Sequence, residues 1–157
     1  MRVKILGLLA AVLLVAACET TPPPASQTAT NPGTVTATPG SQADFSQNVG
    51  DRVFFEYDSF QLTPEARQTL TRQAAWLKQY SNWRITVEGH ADERGTREYN
   101  LALGERRASS VRAFLISQGI PANRVATISY GKERPAVAGS TEQAYAQNRR
   151  GVTVLSN

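Results

Sequence analysis

The 157-residue chain is poor in the side chains that usually carry metal or covalent chemistry: it has one cysteine, Cys18, and one histidine, His90. A single cysteine cannot close a disulfide within the chain, so the core alone must stabilise the fold. A zinc centre draws three or four ligands from Cys, His and carboxylate groups, and a lone His90 among scattered carboxylates has no such spacing. The sequence also lacks a Gly-x-Ser-x-Gly nucleophile elbow and the Gly-Lys-Ser/Thr ending of a phosphate loop. No cofactor, metal or catalytic residue is therefore expected. The longest run of small and apolar residues, 5–17, covers 13 positions, against the ~20 a helix needs to cross a bilayer core of ~30 Å. No internal repeat is present.

That short run lies where an export signal would. Arg2 and Lys4 precede it, and Val15-Ala16-Ala17 lead into Cys18, so residues 1–17 read as a signal peptide and the mature chain is expected outside the cytoplasm. An odd cysteine in an exported protein suggests a free or intermolecularly paired thiol. The small residues before Cys18 also resemble the bacterial lipobox, which implies a lipidated Cys18 at the mature N-terminus. One acyl chain holds a protein to a membrane only marginally, so the multiple acylation implied by that resemblance would make the anchor. The formal charge of +4 falls by two when Arg2 and Lys4 leave. A basic balance can point to nucleic acid, but export argues against that partner. The small remaining excess fits ordinary solvated surface or a carboxylate-bearing polymer.

Residues 19–43 hold five Pro, seven Thr, one charge and no aromatic, too little apolar surface to offset the entropy of ordering. Residues 18–43 are thus expected to be the lipidated cysteine and a disordered Pro/Thr-rich tether, spanning roughly 30 Å as a coil and up to ~80 Å extended. A folded domain is expected over residues 44–157. A buried strand is predicted at 53–57 from Val53-Phe54-Phe55-Glu56-Tyr57. Thr63-Pro64 then predicts a capped helix start, with Ala66, Leu70, Ala74 and Leu77 as its apolar stripe to about Tyr80. Arg84-Ile85-Thr86-Val87-Glu88 alternates with period two, placing Ile85 and Val87 inside. A loop at 89–95 leads to a long helix with Leu101, Ala108, Val111 and Leu115 on its inner face, ended by Gly119 and Pro121. A strand at 125–130, a loop, a short helix at 141–148 and a strand at 152–155 follow. The order β-α-β-α-β-α-β predicts an α/β sandwich in which helices pack on one mixed sheet.

The charges concentrate at residues 92–107, where Asp92, Glu93, Arg94, Arg97, Glu98, Glu105, Arg106 and Arg107 fall together. Most read as a solvated, salt-bridged helix start. Helical spacing puts Arg107 near the edge of the apolar stripe and turns Arg106 away from it. An arginine held at a rim suits a two-pronged grip on a carboxylate. His90 is expected to be structural, bonding within its own loop. Two of Asp58, Glu88, Asp92 and Glu93 could form the carboxylate pair of a glycosidase, the remaining enzymatic reading.

Asn100, Leu103, Arg107, Ala108, Val111 and Leu115, preceded by the 89–100 segment, match in spacing the peptidoglycan-binding signature of the OmpA-like C-terminal domain. With Ser129-Tyr130-Gly131-Lys132 and Asn148-Arg149-Arg150, the chain resembles that family over residues 52–155. The lipobox, the tether and the want of a barrel are most similar to its lipid-anchored, peptidoglycan-associated members. The resemblance implies non-covalent binding of diaminopimelate, the stem-peptide residue with a free ammonium and a free carboxylate on one carbon. Asp92 would accept from the ammonium, Arg107 would fork onto the carboxylate, and Asp58 would add acceptors or shape the pocket. Tyr57, Arg94, Asn100 and Leu103 are further lining positions. The resemblance also implies the Tol–Pal system of envelope integrity and cell division, with TolB and TolA as partners. Glu19 after Cys18, rather than Asp, favours an outer-membrane anchor facing the periplasm. Gly104 departs from the family Ser: if that hydroxyl bonds to ligand in other members, the contact is missing here, and the glycine costs ~1 kcal/mol of helix propensity. The competing reading is a periplasmic interaction module that does not touch the wall.

Overall fold

The computed structural model describes residues 37–156; the expected signal peptide, Cys18 and most of the expected tether lie outside that range. The elements are α1 (Gln42–Asp44, continuing into a π-helical turn Phe45–Val49), β1 (Arg52–Phe54), α2 (Pro64–Gln79), β2 (Arg84–His90), α3 (Arg97–Ser117), a 3-10 turn (Ala122–Arg124), β3 (Val125–Gly131), α4 (Glu142–Asn148) and β4 (Arg150–Ser156). They form one four-stranded mixed sheet in the order β1-β4-β2-β3. β4 runs antiparallel to β1 and β2, while β2 and β3 are parallel and joined through α3.

Local chemistry accounts for where the helices start. Thr63, Thr96 and Thr141 each accept a main-chain N–H three residues on, satisfying one of the donors a helix start leaves unpaired. Pro64 occupies the first turn of α2, where its missing N–H costs nothing. Across β2 and β4 the partners Ile85/Leu155, Val87/Thr153 and Gly89/Gly151 share one face of the pleat. Ile85, Val87 and Leu155 join Leu70 and Leu77 of α2 and Val111 and Leu115 of α3 in the core. Arg84, Thr86 and Glu88 point the other way, as the period-two pattern predicts.

Two expectations need correction. β1 stops at Phe54: the Phe55 carbonyl is taken by the Arg149 side chain, Nε at 3.0 Å, and Tyr57 and Asp58 lie in a turn beyond the strand. Leu101 is 45 % exposed; the inner face of α3 is formed by Asn100, Leu103, Gly104, Arg107, Ala108, Val111 and Leu115. Residues just ahead of 44 pack against the fold. Asp44 accepts from the Gly40 N–H and from Trp76 Nε1, both at 2.8 Å, Trp83 Nε1 donates to the Gly40 carbonyl, and Phe45 packs its ring 4.9 Å from that of Trp76.

Two glycines set the distance between α3 and the sheet. A Cβ on Gly89 would fall 1.8 Å from the Gly104 carbonyl oxygen, and one on Gly104 would fall 2.3 Å from Ser129 Oγ. With neither Cβ present the helix lies directly on β2, which brings the start of α3 against the end of that strand.

Candidate functional site

The C-terminal end of β2, the 91–96 loop, the first turns of α3 and the turn after β1 meet around a cavity of about 200 Å³. All seven positions picked out by sequence, Tyr57, Asp58, Asp92, Arg94, Asn100, Leu103 and Arg107, line it. Gly95 and Tyr99 complete the wall.

Arg107 is the largest fully buried side chain of the described residues, inside the packed face of α3 and not at its rim. Its guanidinium donates to three main-chain carbonyls: Nε to Ser59 at 2.8 Å, Nη1 to His90 at 2.8 Å and Nη2 to Glu56 at 3.1 Å. These bonds tie the turn after β1 to the end of β2, so Arg107 assembles the cavity it lines. Burial lowers its pKa to about 10, with the negative charge of Asp92 acting in the opposite direction, so it remains a cation at neutral pH. Among the described residues no carboxylate lies within the 4.0 Å of an ion pair with it. Three of its roughly five N–H donors are taken by carbonyls; it has no ion-pair partner, and Asp92 and Asp58 act on its charge only from a distance.

Asp92 is 5 % exposed and heavily engaged. Its carboxylate accepts from the Arg94 main chain at 3.1 Å, from Arg94 Nε at 3.2 Å and Nη2 at 2.6 Å, and from Arg149 Nη1 at 3.4 Å. Burial alone would raise its pKa, but the Arg94 and Arg149 bonds outweigh burial and hold it below the usual carboxylate range. Asp58 sits in the left-handed region at φ 51°, a conformation aspartate tolerates better than most residues. There it projects to the cavity mouth and accepts from the Tyr99 hydroxyl. The 91–96 loop is held by Asn100 Nδ2 on the Arg94 carbonyl at 2.8 Å and by Lys132 Nζ on the Gly95 carbonyl at 2.6 Å.

Tyr99, Arg149 and Glu142 are the participants that sequence reading missed. Arg149 is buried, donating Nε to the Phe55 carbonyl at 3.0 Å and Nη1 to Glu142 at 2.7 Å as well as to Asp92. The Asn148-Arg149-Arg150 triplet marks its position but not its link to Asp92, since 57 residues separate the two. One single-residue expectation is overturned. His90 does not bond within its loop: both ring nitrogens are buried with no partner in good hydrogen-bond geometry, and the groups acting on the ring include the Arg134 main chain and Glu88, 3.6 Å away. Gly104 does not face the cavity; it is the contact between α3 and the sheet. The cavity therefore offers one unmatched, immobile cation and two carboxylates, a set suited to a small group carrying both charges. Among the described residues no cluster of three or more His, Cys, Asp or Glu is placed to hold a metal.

Comparison with known proteins identifies the family and the fold. The OmpA family model matches residues 54–149. The peptidoglycan-associated lipoprotein of Agrobacterium fabrum is 63% identical over 123 residues, 78% of this chain and 70% of that protein. That of Mesorhizobium japonicum is 53% identical over 150 residues, 94% of this chain and 89% of its own length. Among solved structures, the peptidoglycan-associated lipoprotein from Burkholderia pseudomallei superimposes with a TM-score of 0.69 at 35% identity, covering 73% of this chain and 98% of that one. The C-terminal domain of Helicobacter pylori MotB shares the fold at a TM-score of 0.64 and 23% identity, over 68% of this chain and 84% of that one. The chain belongs to the OmpA family and, within it, to the peptidoglycan-associated lipoproteins.

Proposed function

We propose that this chain is an outer-membrane lipoprotein, anchored through Cys18 and facing the periplasm, that holds the diaminopimelate residue of peptidoglycan without cleaving it. The observation that carries the reading is the Arg107 guanidinium, fully buried, lining the cavity and bonded only to carbonyls. A buried cation without a counter-charge is costly, and a ligand carboxylate entering the cavity supplies the missing charge. The free end of diaminopimelate carries such a carboxylate beside an ammonium. In this reading Arg107 takes the carboxylate, and Asp58 and Asp92 take the ammonium. The curated relatives are named for association with peptidoglycan, which supports the ligand class.

Anchoring by lipid fits the described residues, among which no helix is long and apolar enough to cross a membrane. The lipid end holds the outer membrane and the cavity holds the wall, so the chain tethers one to the other within the Tol–Pal system. Tyr57 and Tyr99 line the cavity and are exposed, and exposed aromatics of this kind suit a protein partner. TolB is the proposed partner at that surface and TolA a further one, in the service of envelope integrity and cell division.

Co-sedimentation of the full-length chain with diaminopimelate-type sacculi tests the reading, with Asp58→Asn and Asp92→Asn alongside and folding checked by circular dichroism. Wild type is expected to pellet, and each variant to lose about tenfold or more in affinity, the order of one charge-assisted hydrogen bond. If all three proteins pellet alike while folded, the pocket is misassigned and an interaction module without wall binding replaces it.

A further inference from the structure

Two cations line the cavity, and they are held in opposite ways. Arg107 is locked by three carbonyls and has no room to move. Arg94 is 33% exposed and its guanidinium touches no main-chain acceptor, only carboxylates. On the inner side it grips Asp92, with Nη2 at 2.6 Å from Oδ2 and Nε at 3.2 Å from Oδ1. On the outer side its Nη1 reaches Glu142 Oε2 at 3.3 Å. The guanidinium also lies 4.1 Å from the ring centroid of Tyr57 and 4.4 Å from that of Tyr145, both within the range of a cation–π contact.

This inference rests on the diaminopimelate reading above, in which the ligand ammonium pairs with Asp92. That place is already taken by Arg94. We propose that Arg94 is a resident competitor for the ammonium: it fills the cation place on Asp92 and shifts toward Glu142, along the faces of Tyr57 and Tyr145, when a ligand enters. Glu142 is the receiving group. It is 61% exposed, already lies within reach of Arg94, and is bonded to Arg149, which also touches Asp92. Both carboxylates thus stay paired with arginine throughout the exchange, and no charge is stranded in the partly buried site, where it would be expensive.

The exchange sets how much the ammonium adds to affinity. A ligand with a carboxylate but no ammonium can reach Arg107 but cannot take over Asp92, so Arg94 stays in place. A ligand with both charges displaces it. The net contribution of the ammonium is the difference between its own bonds to Asp92 and those Arg94 gives up, so removing Arg94 should enlarge that contribution.

The test compares two probes on the full-length chain in detergent by titration calorimetry: a diaminopimelate-terminated stem tripeptide with its side-chain amine free, and the same tripeptide acetylated at that amine. For Arg94→Gln the ratio of the two affinities is expected to rise at least threefold, driven by tighter binding of the free-amine peptide. Arg94→Lys, which keeps a cation on the loop, is expected to stay near the wild-type ratio. A variant that merely loosens the loop weakens both probes and leaves the ratio unchanged, so an unchanged or lower ratio in Arg94→Gln overturns the inference. If wild type binds neither probe, the pocket reading itself fails and takes this inference with it.

Discussion

Replacing Arg107 removes three hydrogen bonds to the carbonyls of Glu56, Ser59 and His90 together with the charge proposed to meet the ligand. Charge-assisted bonds of this kind contribute about 1.5–3 kcal/mol each, not additively. Arg107→Ala is thus expected to lose about 3–5 kcal/mol of stability in urea denaturation, and a loss below 1 kcal/mol would contradict the assembling role. Asp58 and Asp92 are the better probes of binding for that reason. His90 offers a separate handle. Burial, followed by the charge of Arg150, lowers its pKa from 6.5 to about 4, so the folded state holds the neutral ring. Its contribution is complete above pH ~6.5 and declines as pH falls toward about 4, below which the loss levels off. Allowing for solvent screening, the decline should be about 2 kcal/mol. Asp92, with its pKa already lowered, keeps its contribution through that window and loses it only at more acidic pH. Because neither ring nitrogen has a partner, His90→Phe is expected to flatten the pH 4–6.5 part of the stability profile at little cost at pH 7. An unchanged slope would assign the decline to another group.

At the scale of elements, the cap of α2 and the apolar stripes of α2 and, Leu101 apart, α3 were legible because Thr and Pro act on the residues next to them and because helical spacing repeats. The two places that misled were set by distant partners. β1 is cut short by Arg149, which lies 94 residues from the Phe55 carbonyl it binds, and the inner face of α3 includes Asn100, Gly104 and Arg107, types that an apolar count passes over. Gly104 reads as a helix weakness in sequence, yet the fold needs it bare. Gly104→Ala gains ~1 kcal/mol of propensity but drives a Cβ against Ser129 Oγ and the Gly89 carbonyl. A net loss of about 1–2 kcal/mol is expected from overpacking, measurable as a lower melting temperature; a stabilised variant would show that α3 can lift from β2 freely. The same logic applies to the segment before β1. Phe45 is buried against Trp76, so Phe45→Ala is expected to cost about 3 kcal/mol, and a truncation that removes residues 37–45 should cost at least as much.

Taken whole, the molecule is a sheet and two long helices whose shared end is given over to charge. Its fold class followed from the alternation of strand-like and helix-like segments, and the site positions from a resemblance resting on a dense motif. Their relation to one another did not: the pairing of Asp92 with Arg94, the burial of Arg107 and the part of Arg149 depend on how the 91–96 loop closes over α3, which spacing along the chain does not encode. The central claim is that Arg107 presents an unmatched charge to a ligand carboxylate. The most direct measurement titrates the full-length chain in detergent with a stem tripeptide ending in diaminopimelate, and then with the same peptide ending in lysine, which differs by that one carboxylate. The diaminopimelate peptide is predicted to bind at least tenfold more tightly, about 1.4 kcal/mol or more, and equal affinities for the two peptides would contradict the account.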